Sequence, residues 1–472
     1  MSAIAAYGCY VPRRRVPLPV FSGRSAKDND PERAVAWADE DSITMAVAAA
    51  SDCLRERERG RIDLLIFATT TYAFAEKQGA VIIARALNLG REVRTIDIAH
   101  SLRGGTQALR AALDAVQAGS AREALVVVVD CRLGAPGSEL ERNGGDAAAA
   151  FLVAAQGGIR VLGDAQCGAE LLDVWRRAGD RFTHSWEERF VVQHGYLEHA
   201  KAASENLRER FADHAPASWQ WVLSAPDARS HATLSAQLDL ERHSVQTPLF
   251  GRVGHCGAAD ALLQLTGVLA SATAGQHIVV VNHGDGAEAL LFLVEQPPQH
   301  DPLAAALAQR SVVRSLDAYR RARDFGSSEY PPMDDQGVSA TVHFRERDEN
   351  LGLTGQRCAC GAPQFPRGRV CYRCGAKDKW QAESFAQREG RLLTYTLDAF
   401  FPTPEPPTAV GIVQVDEGPR IHLQIADVAV GEIASNMAVR FVFRCIHRVG
   451  LRPNYFWKAV PCATASATEV TT

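Results

Sequence analysis

The segment TQALRAALDAVQAGSAREALVVVVDC, Thr106 to Cys131, decides the fold class of this chain. Its first half reads as an amphipathic helix of about four turns, its middle as a Gly/Ser turn, and its end as an apolar strand closed by polar Asp130. No polar residue alternates with the valines, so such a strand is covered on both faces. The same order returns in ADALLQLTGVLASATAG followed by QHIVVVNHG, Ala259 to Gly284. Two copies of helix, short turn and buried strand predict a duplicated core.

Working outward, RIDLLIFATTT, REVRTIDIA, AAAAFLVAA and WQWVLSAP supply further strands between alanine- and leucine-rich helices. This alternation, up to about residue 296, predicts an α/β sheet with helices on both sides. Buried strands such as EALVVVVDC are also where two copies of such a core are expected to pair. From 297 to 350 the text turns to PPQHDP, a charged helix around RSLDAYRRARDF, and GSSEYPPMDDQG, an extended connector with one helix. Residues 351–472 then hold a cysteine cluster followed by GRLLTYTLDAF, TAVGIVQVD, RIHLQIADV, AVRFVFRCIHR and NYFWKAV, short strands that fit a small β-barrel.

Bulk properties narrow the function. The chain is 46% hydrophobic and 22% charged with a formal net charge of -4, which gives no reason to expect nucleic acid. No apolar run is long enough to span a membrane. The opening MSAIAAYGCYVPRRRVPLP carries its charges after a short apolar stretch, the reverse of a secretory signal, so a cytoplasmic location is expected. Seven of the eleven cysteines are scattered singly and read as small hydrophobes. The other four, Cys358, Cys360, Cys371 and Cys374, are expected to hold a structural zinc ion. Cys371-Tyr-Arg-Cys374 has the usual two-residue spacing, whereas Cys358-Ala-Cys360 is one residue short.

The turn before the first helix, DIAHSLRGGTQAL, resembles a nucleophile turn. A sharp bend exposes one side chain over a helix N-terminus, whose positive end stabilises an anion. Its residues are His100, Ser101, Leu102 and Arg103, with no cysteine.

Six motifs in order carry a resemblance over the first 296 residues: IFATTTYAFAEKQ, DIAHSLRGGTQAL, VVVVDCRLGAPGSELERNGGDAAAAFLV, DVWRRAGDRFTHSWEERF, GRVGHCGAADALL and NHGDGAEALLFLV. Together they resemble the thiolase superfamily, closest to its 3-hydroxy-3-methylglutaryl-CoA synthase branch. The resemblance implies a duplicated five-layered α/β/α/β/α core, homodimeric and acting on acyl-CoA. GQRCACGAPQFPRGRVCYRCGA, GRLLTYT and NYFWKAVP resemble the zinc-ribbon/OB-fold proteins that partner thiolase-like enzymes, here fused to the core. Fusion raises the effective concentration of one module at the other.

The resemblance also implies four catalytic positions, all changed. Leu102 stands at the cysteine nucleophile, Thr70 at the glutamate acid/base, Ser224 at the histidine and His255 at the asparagine. Leucine cannot form a thioester, so a covalent acyl-enzyme is not expected at that turn. The backbone features persist, with oxyanion donors expected at Leu102 N–H and near Gly284 or Asp285. His255, His100, Tyr72 and the glycine-flanking His283 are acid/base candidates; Arg103, Arg176 and Arg177 are candidates for coenzyme A phosphates. The leading expectation is aldol, retro-aldol or condensation chemistry on a CoA thioester without a cysteine. The alternatives are a non-catalytic acyl-CoA-binding scaffold for a separate thiolase, and an acyltransferase with its nucleophile relocated to Cys256.

Overall fold

The computed structural model describes residues 2–55, 57–215, 218–323, 339–401, 403, 405–449 and 452–462. The chain divides into two compact units, Met1–Phe325 and Gly326–Thr472.

The first unit is built on nine strands: β1 (Ala3–Tyr10), β2 (Ile62–Ala68), β3 (Arg94–Ile98), β4 (Glu123–Asp130), β5 (Ala147–Ala154), β6 (Ile159–Gly168), β7 (Gln220–Leu223), β8 (His277–His283) and β9 (Gly286–Val294). Their order is β7-β8-β9-β6-β1-β5-β4-β2-β3. In the first half, β4 runs parallel to β2, and β2 to β3, while β5 is antiparallel to both β4 and β1. The second half repeats this, with β7 and β8 parallel and β9 antiparallel to β8 and β6. β1 meets β6 only through Ala3 and Ile4. The counterpart of β3 has shrunk to one parallel bridge, Trp221 with Val245, held by Gln246 N–H donating to Trp221 O at 2.7 Å.

Helices complete five layers. α1 (Ser42–Cys53) and α2 (Gly79–Ala86) cover the outside of the first half-sheet. α4 (Glu198–Arg210) covers the second. Between them, α3 (Gly104–Gln117) and α5 (Asp260–Ala270) share one apolar cluster with strands of both halves, including Val126, Phe151, Val280 and Phe292. The two helices lead into β4 and β8, which hold equivalent places in the two halves. The duplication legible in the text is therefore real in space.

Two expectations change. β4, the EALVVVVDC strand, is hydrogen-bonded on both sides, so it cannot pair with a second copy; β3 is the terminal strand on that side. Residues 302–323 are not an extended connector. Helix Pro302–Ala308 and helix Leu316–Ala322 belong to the first unit, and Tyr319 is buried with Val16, Val20 and Val35. Arg323 then locks the segment, donating to Asp146 Oδ2 at 2.7 Å and to the carbonyls of Ala36 and Cys131 at 3.1 and 3.0 Å. The core boundary therefore falls after residue 296, because these side chains are spent on the core. GSSEYPPMDDQG lies outside the described residues.

In the second unit, β10 (Glu389–Asp398), β11 (Thr408–Val415), β12 (Arg420–Ile425), β13 (Ala438–Val449) and β14 (Arg452–Pro461) close a barrel in the order β10-β11-β12-β14-β13. β11 alternates half-buried and buried residues along its whole length, as a barrel wall must. Helix Ala340–Gly352 and a three-stranded ribbon precede the barrel. No helix among the described residues is long and apolar enough to cross a membrane.

Candidate active site

The site forms where the two halves meet, at the N-terminus of α3 and the turn after β8. His100 takes a left-handed φ of 74°, which bends the chain out of β3 toward Leu102. Gly284, at φ 140°, fits against that bend: a Cβ there would lie 2.9 Å from Leu102 Cβ and 3.0 Å from Leu102 N. Only glycine lets the turns approach so closely. Arg103 is buried and clamps them, donating from Nε to Gly284 O at 2.6 Å and from a terminal nitrogen to Asp285 O at 2.9 Å. Asn282 Nδ2 adds a bond to Leu102 O at 3.2 Å. Among the described hydrogen bonds, Leu102 N–H meets no acceptor. Gly284 N–H does meet one, Gly286 O at 2.9 Å, which removes Gly284 as an oxyanion donor.

A cavity of about 400 Å³ opens here, lined by Leu102, Arg132, Asp173, Tyr196, His255 and His283 among others. His255 Nδ1 lies 2.8 Å from an Arg132 guanidinium nitrogen and accepts Gly257 N–H at 3.3 Å; its Nε2 is buried without a partner among the described residues. Burial, the Arg132 charge and His283 hold the His255 imidazolium well below the usual histidine range. The His283 ring lies 5.9 Å from that of His255, and its Nδ1 is likewise buried and unpartnered. Burial, with Arg132, lowers it to about 4, against a hydrogen bond to the Ser224 backbone. Both rings are therefore neutral at pH 7. Asp173 also lines the cavity, and burial raises its carboxyl above the usual range.

Other expected site residues lie elsewhere. His100 is exposed and is not part of the lining. Tyr72 donates its hydroxyl to Ile98 O at 3.1 Å, and burial raises its phenol, so it cannot act as a base near neutral pH. Thr70 is tied to Asp130 through its N–H at 2.7 Å and its hydroxyl at 2.9 Å; Thr69 and Thr71 bond the same buried carboxylate. Ser224 is buried outside the lining. The internal bonds of Arg103 leave it no role at a surface phosphate. Arg176 and Arg177 are exposed, the first donating to Thr70 O at 2.6 Å and the second paired with Asp180 at 3.0 Å. Cys256 is fully buried, donates to Gly254 O at 3.3 Å, and burial raises its thiol well above the usual range. It is not in the lining, and no cysteine is.

Sequence reading missed Arg132 and Asp173 as site residues. Arg132 stands just past the end of buried β4, where α/β sheets place their ligands, and that position was the available signal. Asp173 had none.

In the second unit the sulfurs of Cys358, Cys360, Cys371 and Cys374 all lie within 4.8 Å of one another. Two of the separations, Cys358–Cys374 and Cys360–Cys371, are 3.7 and 3.8 Å. Sulfurs at about 2.3 Å from a tetrahedral zinc would stand roughly 3.8 Å apart, so the set fits that ion. The short knuckle closes one residue early: Gly361 N–H donates to Cys358 O at 2.8 Å, where Gly375 N–H reaches Cys371 O at 3.0 Å.

Comparison with known proteins agrees with this architecture. A family model described as ChsH2, C-terminal OB-fold domain, matches residues 383–444. The chain is 27% identical over 335 residues to the hydroxymethylglutaryl-CoA synthase of Pyrococcus furiosus, covering 68% of this chain and 95% of that one. It is 25% identical over 303 residues to the synthase of Methanocaldococcus jannaschii, covering 61% and 86%. Among solved structures, an HMG-CoA synthase complexed with CoA superposes with a TM-score of 0.62 at 18% identity, covering 71% of this chain and 92% of that chain. The 3-oxoacyl-[acyl-carrier-protein] synthase III of Aquifex aeolicus gives 0.56 at 18%, covering 62% and 100%. The fold is thiolase-like with a C-terminal OB-fold.

Proposed function

We propose that this chain makes or breaks a carbon–carbon bond beside a coenzyme A thioester, through an enolate and without a covalent acyl-enzyme. One observation carries the reading: the cavity at the α3 N-terminus is lined by the buried imidazoles of His255 and His283, the half-exposed imidazole of His184 and the Arg132 guanidinium, but by no thiol. A Claisen condensation through an acyl-enzyme needs that thiol. An aldol or retro-aldol step needs only a base and a donor for the enolate oxygen. In the cleavage direction the β-hydroxyl loses its proton and the Cα–Cβ electrons move to Cα. The β-carbon departs as a carbonyl, and Cα of the enolate is then protonated. The unbonded Leu102 N–H, at the positive end of α3, is the donor we assign to the enolate oxygen. The relatives are named hydroxymethylglutaryl-CoA synthases, which supports the substrate class.

Incubation with acetyl-CoA and longer acyl-CoAs should leave the intact mass unchanged. An adduct, above all one mapped to Cys256, would revive acyl transfer. A panel of β-hydroxyacyl-CoAs should yield a shortened acyl-CoA and a carbonyl compound. Binding without conversion across the panel would leave the scaffold reading standing instead.

A further inference from the structure

The hydrogen bonds of the two buried imidazoles of the cavity, His255 and His283, define which substrate oxygen fits between them. His255 Nδ1 faces two groups, the Arg132 guanidinium at 2.8 Å and Gly257 N–H at 3.3 Å. Both can only donate, so Nδ1 carries the lone pair and the ring proton sits on Nε2. That N–H is buried and has no partner among the described residues. The Ser224 backbone favours the protonated His283 ring, as an acceptor of a ring N–H does, and Nδ1 has no partner among the described residues; we therefore assign the His283 proton to Nε2 and the lone pair to Nδ1. The cavity thus holds an unpaired donor on one ring and an unpaired acceptor on the other, 5.9 Å apart, with the Tyr196 hydroxyl, also buried and unpartnered among the described residues, on a ring 4.8 Å from that of His283. Buried polar groups left unmet cost free energy, which a guest recovers by meeting both. A hydroxyl meets both through one oxygen, accepting from His255 and donating to His283. A ketone or carboxylate oxygen has no proton for His283.

We propose that His255 and His283, with Arg132 as the positioning residue that fixes the His255 tautomer, recognise a hydroxyl and select β-hydroxyacyl thioesters. This rests on the acyl-CoA reading of the cavity and reverses the role expected of His255, which becomes a donor and not the base. The O–H proton passes to His283 Nδ1 as the Cα–Cβ bond breaks. The new carbonyl oxygen keeps the His255 Nε2–H bond, and His283 gives its proton to Cα of the enolate. The neutral state in which burial holds both rings supplies the lone pair this needs.

The test uses the full chain in two measurements. Calorimetric titration with 3-hydroxybutyryl-CoA, butyryl-CoA and acetoacetyl-CoA should show the hydroxy ester binding roughly tenfold tighter or more, the worth of one met buried pair. Nitrogen NMR of histidine-labelled protein should show His255 protonated at Nε2 and bare at Nδ1. Arg132→Met should let that tautomer redistribute and shrink the preference, and Arg132→Lys, which keeps a donor, should restore part of both. Equal binding of the three esters, or a His255 proton on Nδ1 in the unaltered chain, overturns the proposal. Failure of all three to bind overturns the acyl-CoA reading itself and takes this proposal with it.

Discussion

At the scale of single residues, the site depends on a few atoms that cannot move. Gly284 has a left-handed φ of 140° and sits against the Leu102 amide. Gly284→Ala should therefore cost about 1–3 kcal/mol of stability from strain alone, and more if Leu102 is pushed. Denaturant unfolding measures the cost, and any turnover should fall with it because the Leu102 N–H shifts. Tyr72→Phe is the contrast. It removes one bond, to Ile98 O, from a group outside the lining, so about 1 kcal/mol of stability should go while turnover stays unchanged. A large loss of turnover in Tyr72→Phe would return that phenol to the mechanism.

At the scale of elements, the ribbon is the part whose integrity rests on a small number of side chains. Its cysteines are held by turns and short strands with little apolar cover, chiefly Ala362 and Ala376. Emission analysis of protein prepared without chelator should find about one zinc per chain. Cys371→Ser should lower that to near zero. Protein that is folded and metal-free after such preparation contradicts the prediction. The barrel has its own core, with Leu392, Val413, Leu423, Phe443 and Trp457 inside, so its signal should outlast the metal.

At the scale of the whole molecule, the buried histidines make stability depend on pH. The folded value for His283 is about 4, below its ordinary 6.5. The unfolded chain therefore binds a proton below pH 6.5 that the folded chain refuses until about pH 4. Its contribution is complete above 6.5 and is lost as pH falls from 6.5 toward 4, by roughly 3 kcal/mol at about 1.4 kcal/mol per pH unit. His255 shifts in the same direction and adds to the loss. Urea midpoints at pH 7.5 and 5 should show the fall, and His283→Gln should flatten it; an unchanged slope in that variant would assign the acid sensitivity elsewhere.

The sequence by itself determined the two-unit order, the duplicated helix–turn–strand of α3–β4 and α5–β8, the five barrel strands and the cluster of four cysteines. All of these rest on local periodicity and spacing, which a single segment carries. It also brought forward Leu102, His255 and His283, because each flanks a glycine turn or a helix start. Only the tertiary structure decided what those residues can do. The Arg132 guanidinium fixes the His255 tautomer from 123 positions away, and Asp130 gathers Thr69, Thr70 and Thr71 from about 60 positions away. Burial raised the Tyr72 phenol and the Cys256 thiol out of use, and β5 pairing enclosed β4. Protonation and access depend on which distant groups share a cavity, and that is a property of packing, absent from any local pattern.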